Sequence, residues 1–430
     1  MTKKNLSIRV PILARVEGEG AMDLEIRNGI IEKLQLRIYE PPRFFEKFLE
    51  GRAYHEIPDI VARVCGICPV AYQVSAVNAI ESAFNMDPGP WVAAMRRLIY
   101  LGEWIESHAL HIHLLALPDF FGYDTGIAMA KDHPTEVRRG LMLQNLGNEI
   151  MRTIGARSVH PVSIKVGGMH NAPDEEKLEL LLRALEQGLP EAIEMTEWLA
   201  TIDLPDDQQQ FNYAALCADN YAVENGQLVS NTGLKLNPQQ YENHFNEFHQ
   251  QQSTALWSQM DGEAYLVGPL ARMNLTSQTL PCESAAILNR FNDRFPSHNM
   301  FDSMLARGIE ICFAMQEAIR ILRDYRRPDQ TFIEPTPRAG NGSGWSEAPR
   351  GLLWHSYELD NQGIIQNARL VPPTSQNQAR IEQDLHQSLL NFGLDNSDDD
   401  IRRHCEKVIR NYDPCISCAT HFLKLNTVRQ

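Results

Sequence analysis

The chain has 430 residues, 43% of them hydrophobic, which is enough for one large core or for two to three domains. Fifty-five acidic residues against 40 basic ones give a formal net charge of −15, the opposite of the balance typical of a nucleic-acid-binding protein. The start, MTKKNLSIRV, lacks the apolar segment of a signal peptide, and no apolar run reaches the roughly 18 residues needed to span a membrane. We therefore expect a cytoplasmic protein, and its eight cysteines are too few for a disulfide scaffold.

The first half of the chain predicts strands followed by helices. Residues 6–39 alternate apolar and polar side chains, and Asn28-Gly29 is a hairpin signal, so this segment predicts a small antiparallel sheet. From about 43 to 202 the hydrophobic period becomes helical, and one segment is apolar on too many faces for a surface helix. That buried segment is 91–115, which predicts one helix, and two more helices are predicted over 140–157 and 174–202. The last of these begins with acidic residues, which suit the first turn of a helix.

The second half mixes short strands with long helices. Residues 203–300 are rich in Gln, Asn and Pro and predict only short strands such as EAYLVG, at 263–268. A long helix is predicted over 302–327, ended by Pro328, and the glycine cluster RAGNGSG, at 338–344, is interpreted as a loop. Residues 351–372 predict a hairpin, and residues 375–412 predict helices broken near FGLDNSDDD.

These elements predict a helix-rich α+β protein with a small N-terminal antiparallel sheet and a C-terminal β-hairpin. The chain divides into an N-terminal β region (1–40), a helical core (41–202), a mixed insertion region (203–300), a region of helices and hairpin (301–421) and a C-terminal tail (422–430). The helical core and the region of helices and hairpin each contain one Cys-x-x-Cys pair.

The two Cys-x-x-Cys pairs lie near opposite ends of the chain. Cys65 and Cys68 stand in RVCGICPVAY, and Cys415 and Cys418 stand in DPCISCATH. Each pair can close on one metal ion as a two-point clamp. Four interpretations remain open from spacing alone. The first is a structural zinc site, although the pairs of such a site usually lie within about 20 residues of each other. The second is a thioredoxin-like redox motif, although the βαβ pattern that accompanies it is missing here. The third is a buried transition-metal centre built from both ends of the chain, and the fourth is no metal at all.

The residues around the pairs resemble the large, catalytic subunit of nickel–iron hydrogenases. Arg63 to Cys68 is similar to the family motif Arg-x-Cys-Gly-x-Cys, and Asp413 to His421 is similar to Asp-Pro-Cys-x-x-Cys-x-x-His. Six further blocks resemble family blocks in family order: ARVEGEG (14–20), PPRFFEKFLEGR (41–52), IESHALHIHLLALPDF (105–120), GARSVHP with a later GG (155–168), EAPRGLL (347–353) and LVPPT (370–374). The chain is most similar to the alpha subunits of the cytosolic, pyridine-nucleotide-linked group, which includes the sulfhydrogenases.

This resemblance implies a nickel–iron centre held by the four cysteines. Cys68 and Cys418 would bridge nickel to an iron that carries carbon monoxide and cyanide, whereas Cys65 and Cys415 would bind nickel alone. Soft thiolates suit both metals. The resemblance further implies that Cys415 passes a proton to Glu17, although Glu17 taken alone reads as a strand-end residue.

The resemblance also assigns roles to residues around this centre. Arg350 and Thr374 would contact the cyanide ligands, Pro349 would line the pocket, and Asp413 would hold the arginine in place. A magnesium ion or similar cation would be bound by Glu46, the main-chain carbonyl of Leu370 and His421. Taken alone, Glu46 is an acid on a helix face, and Arg350 is a salt-bridge arginine.

Several residues are interpreted without a metal role or depart from the family pattern. The histidines of the third block are interpreted as buried supporting residues, and the scattered cysteines as packing residues. The histidines are His108, His111 and His113, and the cysteines are Cys217, Cys282, Cys312 and Cys405. Three positions differ from residues common in the family, namely Tyr72, Ser107 and Gln376. These departures leave the thiolates intact and put the hydrogen bonds around the centre in question.

The chain lacks the motifs that would carry electrons onward. It contains no further Cys-x-x-Cys run, no G-x-G-x-x-G after a strand and no G-K-[ST] loop. The resemblance therefore places the iron–sulfur clusters on a small hydrogenase subunit, and FAD and NAD(P) on flavin-binding and ferredoxin-like subunits. It also implies nickel chaperones and a maturation protease that removes 422–430 after His421.

The expected function is reversible, heterolytic oxidation of H2 with electrons passed to NAD(P). A redox-inert structural relative, like the homologous subunit of respiratory complex I, is one alternative. A scaffold protein clamped by zinc is the other.

Overall fold

The computed structural model of this chain describes residues 4–420. Its first three strands, β1 (Leu6–Val10), β2 (Gly20–Arg27) and β3 (Ile30–Ile38), pair antiparallel in that order. Asn28 and Gly29 both have positive φ, 52° and 73°, as the tight turn of a two-residue hairpin requires. The predicted N-terminal sheet and its turn are confirmed.

The helical region follows this sheet and contains the most buried helices. It comprises α1 (Phe45–Leu49), α2 (Ile57–Val61), α3 (Pro69–Phe84), α4 (Pro90–Leu110), α5 (Leu117–Phe120), α6 (Gly126–Met129), α7 (Pro134–Gly155), the short strands β4 (Ile164–Lys165) and β5 (Gly168–Met169), and α8 (Glu175–Leu199). As predicted, α4 is buried along almost its whole length, and it continues into π-helical turns at His111–Ala116. The acidic start of α8 is also confirmed, because the Asp174 side chain accepts the N–H of Glu176 at 3.0 Å.

The middle of the chain forms two small antiparallel sheets and three helices. The sheets contain β6 (Ala214–Cys217), β7 (Gln227–Ser230) and β8 (Lys235–Leu236), then β9 (Phe245–His249) and β10 (Leu256–Met260). The helices are α9 (Pro269–Thr276), α10 (Cys282–Leu288) and α11 (Ser303–Asp324). The long helix predicted over 302–327 corresponds to α11.

The strand predicted for EAYLVG is wrong. This segment makes only isolated bridges, between Glu263 and Met260 and between Leu266 and Tyr213. Residues 264–268 are all buried, and the Val267 N–H donates to the Asn377 side chain at 2.9 Å where a longer strand would bond a neighbouring strand. The segment ends directly at Pro269, the first residue of α9.

The last part of the chain contains a three-stranded sheet and three helices. The elements are β11 (Gly340–Ala348), β12 (Gly351–Leu359), β13 (Ile365–Val371), α12 (Pro373–Phe392), α13 (Asp398–Asn411) and α14 (Ile416–Ala419). The predicted hairpin is β12 with β13, and the predicted helix break lies between α12 and α13. The sheet has one more strand than predicted, because β11 pairs with β12 from Gly340 to Ala348.

The interpretation of the glycine cluster as a loop is therefore wrong. The cluster forms the start of β11, which lies directly on α3. A Cβ atom at Gly342 would stand 2.0 Å from the carbonyl oxygen of Ala79, and one at Gly344 would stand 2.4 Å from the Ala79 nitrogen. Glycine is required because the strand and helix backbones touch, so the residues that usually mark a loop here mark a close packing contact.

This architecture brings the two cysteine pairs into one hydrophobic core. Cys65 and Cys68 precede α3, while Cys415 and Cys418 flank the start of α14, and all four lie in the same buried cluster. Among residues 4–420, no helix combines the length and apolar character that crossing a membrane would require.

Candidate metal centre

Four thiols from the two ends of the chain converge in the core. Their sulfur atoms all lie within 4.8 Å of one another, and each cysteine is 1–4% exposed. The Sγ atoms of Cys65 and Cys415 are 3.4 Å apart, and those of Cys68 and Cys418 are 3.7 Å apart. Within the described residues, these four cysteines are the only group of three or more His, Cys, Asp or Glu side chains close enough together to hold a metal ion. The arrangement joins both predicted pairs in one site.

The four thiols shift one another's pKa values in opposite directions. Burial by itself raises the pKa of Cys65, but hydrogen bonds with the other three thiols and the Arg350 charge outweigh it and lower that pKa well below its usual value. Hydrogen bonding with the Cys418 thiol raises the pKa of Cys415 well above the usual value. The cluster therefore favours one thiolate among protonated thiols, and binding a cation would release the remaining protons. Four soft, buried sulfur donors fit a nickel–iron group.

The two cysteine loops are held together by main-chain contacts and by Arg43. The Arg43 guanidinium donates to the carbonyl oxygen of Val64 at 2.6 Å and also to that of Ser417. The Arg43 N–H donates to the carbonyl oxygen of Thr420 at 2.8 Å. Arg43 stands in the PPRFFEKFLEGR block, yet the sequence assigned it no role, because its contacts become visible only when both ends of the chain are in place.

Glu17 lies against the second cysteine pair. Its Oε2 is 3.2 Å from Sγ of Cys415 and accepts the N–H of Ser417 at 3.0 Å. The Ser417 hydroxyl donates to the other carboxylate oxygen, and the Glu17 carbonyl accepts the N–H of Ile416 at 3.0 Å. The carboxylate is therefore fixed in hydrogen-bond contact with one thiol. Sequence reasoning missed Ser417 as its partner.

Arg350 lies fully buried beside the thiols and is fixed by Asp413. Its Nε donates to the Asp413 carbonyl at 2.8 Å, and its Nη2 donates to the Asp413 carboxylate at 3.0 Å. Although burial lowers it, the pKa of Arg350 is raised well above the usual value, first by Asp413 and then by the cysteines. Its Nη1 donates to the Ser107 hydroxyl at 3.1 Å, so this departure from the family pattern still supplies an acceptor.

The structure places most of the remaining predicted site residues, some of them beside the thiols. The Thr374 hydroxyl accepts the N–H of Cys415 at 3.0 Å. Pro349 is buried next to Arg350 in the turn between β11 and β12. The carboxylate of Glu46 accepts the N–H of Leu370 at 2.8 Å, so these two predicted cation ligands are neighbours. The third, His421, lies outside the described residues.

The other two departures also occupy buried positions with defined surroundings. Gln376 donates to the carbonyl of Leu352 at 2.6 Å and accepts the Tyr265 hydroxyl at 3.1 Å. Tyr72 packs its ring against His355 at 5.5 Å. Burial, followed by the cysteine charges, raises the pKa of Tyr72 well above its usual value, so its hydroxyl stays protonated beside the thiols.

The three histidines of the third block have conventional hydrogen-bond partners. Nε2 of His108 lies 2.9 Å from Glu310, and Nε2 of His111 lies 2.9 Å from the Arg410 carbonyl. Burial lowers the pKa of His108 to about 4, and that of His111 to about 3. Both are therefore neutral, and none of the three belongs to the thiol cluster.

A buried ion-pair network is built around Arg272. Arg272 donates to both oxygens of Glu310 at 2.7 Å and to Glu347 at 2.9 Å, while its guanidinium lies 4.3 Å from the Trp104 ring. Burial raises the pKa of Glu310, but the Arg272 charge outweighs this effect and lowers that pKa to about 2. The network joins α4, α9, α11 and β11, which contain Trp104, Arg272, Glu310 and Glu347 respectively.

Fold and site together define a metalloprotein subunit with a buried four-thiol centre built from both ends of the chain. The family described as nickel-dependent hydrogenase matches residues 43–136 and 224–421, which is more than half of the chain. The chain therefore belongs to the nickel-dependent hydrogenase family, as a catalytic subunit. The resemblance found in the sequence motifs is confirmed.

Individual relatives match over nearly the full length. The chain is 33% identical to the alpha subunit of sulfhydrogenase 2 from Pyrococcus furiosus, over 97% of this chain and 100% of the relative. It is 28% identical to the beta subunit of the NAD-reducing hydrogenase HoxS from Cupriavidus necator, over 96% of this chain and 94% of the relative.

Solved structures share the fold. The structure is similar to a crystal structure of an NAD+-reducing [NiFe]-hydrogenase in the H2-reduced state, with a TM-score of 0.88, 25% identity, and coverage of 97% of this chain and 99% of that chain. The reduced Ni-Fe-Se hydrogenase from D. vulgaris Hildenborough, at 21% identity, shares the fold with a TM-score of 0.79, covering 97% of this chain and 100% of that chain. The helix-rich α+β architecture is therefore that of hydrogenase large subunits.

Proposed function

We propose that this catalytic subunit belongs to a cytoplasmic, NAD(P)-linked hydrogenase that oxidises H2 reversibly and passes the electrons through partner subunits. The observation that carries the proposal is the cluster of four buried thiols, all within 4.8 Å of one another, with a carboxylate against one of them. A nickel–iron group bound there supplies the heterolytic cleavage of H2.

The four thiolates have two different roles in this proposal. Cys65 and Cys415 would hold nickel alone, whereas Cys68 and Cys418 would hold both nickel and an iron that carries carbon monoxide and cyanide. The sulfur atoms are close enough to share one metal group, since Cys415 and Cys418 lie 3.0 Å apart and the pairs across the two loops lie 3.4 Å and 3.7 Å apart.

Cys415 and Glu17 handle the proton. The Cys415 thiolate accepts it, and the Glu17 carboxylate takes it onward across their 3.2 Å contact. The Ser417 N–H and hydroxyl hold that carboxylate in place. Because the thiols are 1–4% exposed, bulk water is kept away from the centre and the proton leaves through Glu17.

Arg350, Thr374 and Pro349 form the side of the pocket that faces the iron ligands. A guanidinium held by Asp413 supplies fixed N–H donors and positive charge where anionic cyanide would be bound. The Thr374 hydroxyl both accepts the Cys415 N–H and carries a proton of its own to donate.

A magnesium site completes the proposed centre. Glu46 supplies a carboxylate, Leu370 supplies its main-chain carbonyl, and His421 supplies a ring nitrogen. The 2.8 Å contact between the Glu46 carboxylate and the Leu370 N–H supports the first two ligands, since it keeps them adjacent. Oxygen donors suit a hard cation.

Partner subunits carry the electrons away and complete the enzyme. The names of the relatives, a sulfhydrogenase alpha subunit and a HoxS beta subunit, support assembly with further subunits. The partners in this proposal are those that the sequence resemblance implies, a small iron–sulfur subunit with flavin/NAD(P)-binding and ferredoxin-like subunits. Nickel chaperones load the site. A maturation protease then removes residues 422–430 after His421.

Metal analysis and infrared spectroscopy of the purified complex test this proposal. We expect nickel and iron near 1:1, infrared bands of iron-bound carbon monoxide and cyanide, and H2-dependent reduction of NAD or NADP. Zinc alone would instead indicate the scaffold alternative, and a complex without metal or H2 turnover would indicate the redox-inert one. H2 turnover with a dye but with neither nucleotide would refute only the NAD(P) link.

A further inference from the structure

Glu40 places a second carboxylate beside the proposed proton path. Its Oε2 accepts the N–H of Glu19 at 3.1 Å, so it lies against the turn that begins at Glu17. Glu40 follows the end of β3 and is half-buried, in contact with solvent on one side. Its main chain is fixed, because the Thr254 hydroxyl donates to its carbonyl oxygen at 2.8 Å. The sequence motifs assign it no role.

Gly18 keeps the space between Glu40 and the second cysteine loop open. Its φ is +88°, and a Cβ atom there would stand 2.5 Å from Oε2 of Glu40, 2.7 Å from Cβ of Ile416 and 3.0 Å from the Ser417 nitrogen. That same Ser417 N–H donates to Oε2 of Glu17 at 3.0 Å. Both carboxylates therefore lie beside the backbone of Gly18 and Ser417, where Gly18 contributes no side chain.

The charges that face Glu40 favour uptake of a proton. Burial is the largest cause that raises the pKa of Glu40, and the carboxylates of Glu17 and Glu19 raise it further. The Glu19 N–H and the Arg43 guanidinium act in the opposite direction, and the net direction is upward. A carboxyl group whose pKa is raised toward the working pH accepts and releases protons more effectively than an ordinary surface glutamate.

We propose that Glu40 is the proton carrier that follows Glu17 and delivers the proton to solvent. The inference rests on the proposed function, in which Glu17 receives the proton from Cys415. In the transfer, the O–H bond of the Glu17 carboxylic acid breaks and an O–H bond forms on the Glu40 carboxylate, by contact or through one water molecule. Glu40 then gives the proton to water or a buffer base. No electrons move, and the reverse sequence delivers protons for H2 formation.

The test compares Glu40 variants in the enzyme assembled with its partner subunits. We expect Glu40→Gln to lower H2 oxidation with an artificial electron acceptor at least ten-fold, with nickel content and the infrared bands of the iron ligands unchanged. Glu40→Asp should retain most activity. Glu40→Ala should regain activity when acetate is added, because a small carboxylate can reach the vacated surface position and carry the proton. Glu32→Gln, at an exposed position of β3 that is not among the groups acting on Glu40, is the matched control and should stay within two-fold.

A second readout does not depend on the metal. Infrared titration of the full-length, metal-free chain should show a carboxylic-acid component above the usual pH range of glutamate that is lost in Glu40→Gln but not in Glu32→Gln. Other buried carboxyl groups with raised pKa values, such as Glu106 and Glu382, contribute equally in all variants and cancel in the difference spectra. Activity of Glu40→Gln within two-fold of the unaltered enzyme, or Glu40→Ala that ignores acetate, would overturn the role of Glu40. Full activity of Glu17→Gln would instead refute the proton path of the proposed function. If Glu40→Gln fails to load nickel, the acetate response of Glu40→Ala and the infrared titration decide.

Discussion

Individual histidines in this core make its stability depend on pH. His113 is 1% exposed, its Nδ1 lies 3.0 Å from the Ala109 carbonyl, and burial lowers its pKa to about 4. His108 and His111 have pKa values lowered to about 4 and about 3 by the same cause. In the unfolded chain a histidine binds a proton near pH 6.5, so between pH 6.5 and 4 the unfolded state binds more protons than the folded state. Stability is therefore lost as pH falls through this window.

We predict a loss of roughly 2 kcal/mol of unfolding free energy per buried histidine between pH 7 and pH 5. Urea unfolding of the full-length, metal-free chain at several pH values measures it. His113→Leu should reduce the loss of unfolding free energy between pH 7 and pH 5 by the contribution of one histidine. This reduction is expected whatever the effect of the substitution on stability at pH 7. His244→Leu, at a partly exposed position paired with Asp261, is the control and should keep the slope. Equal slopes in all three proteins would contradict the prediction.

At the scale of residues, the sequence motifs contain the side chains that meet at the centre but not all the groups that hold them. The cysteines, Glu17 and Arg350 stand in motifs, and the structure brings them together. The contacts of Arg43 and of Ser417 join segments almost a whole chain apart, so no local pattern reports them. Ser107 departs from the family pattern, which put its hydrogen bonds in question. The structure shows that its hydroxyl still accepts a hydrogen bond from Arg350.

At the scale of elements, the packing of β11 on α3 requires glycine at alternate positions. We predict that Gly342→Ala destabilises the protein by roughly 1–3 kcal/mol or more, since its Cβ would stand 2.0 Å from the Ala79 carbonyl oxygen and the strand must move. Gly340→Ala in the same strand is the matched control, because its nearest neighbour would be 3.8 Å away. Chemical denaturation of both variants measures the difference, and equal midpoints would show that the strand moves away from the helix at no cost.

Local patterns predicted those elements whose stability is mainly local. The N-terminal hairpin, α4, α8 and α11 follow from turn residues, hydrophobic period and an acidic first turn. The strand β11 could not be predicted, because glycine disfavours strands locally and only the contact with α3 reverses that preference. EAYLVG failed for the opposite reason, since its strand-forming residues lack a partner strand beyond isolated bridges.

At the scale of the whole molecule, the site depends on bringing the two ends of the chain together. Glu17 and Cys415 form a parallel bridge, and Arg43 ties the Val64 and Ser417 carbonyls. Spacing could not decide between zinc, a redox pair, a metal centre and no metal, because it says nothing about distant segments. The ordered motif blocks favoured the metal centre, and the packing of both cysteine pairs in one core supports that interpretation.

A metal bound across these ends should stabilise the entire fold. A ligand present at a thousand times its dissociation constant adds roughly 4 kcal/mol to the native state, and each kcal/mol raises the melting temperature of a large domain by about 2 °C. We predict that the nickel–iron-loaded chain melts at least roughly 5 °C above the metal-free chain, with unchanged circular dichroism. Cys418→Ser should abolish this difference, because it removes one sulfur from the four-thiol cluster. Cys282→Ser, at an exposed cysteine outside the cluster, should preserve it in full. Identical melting temperatures with and without metal would show that the two ends are already locked together by the protein alone.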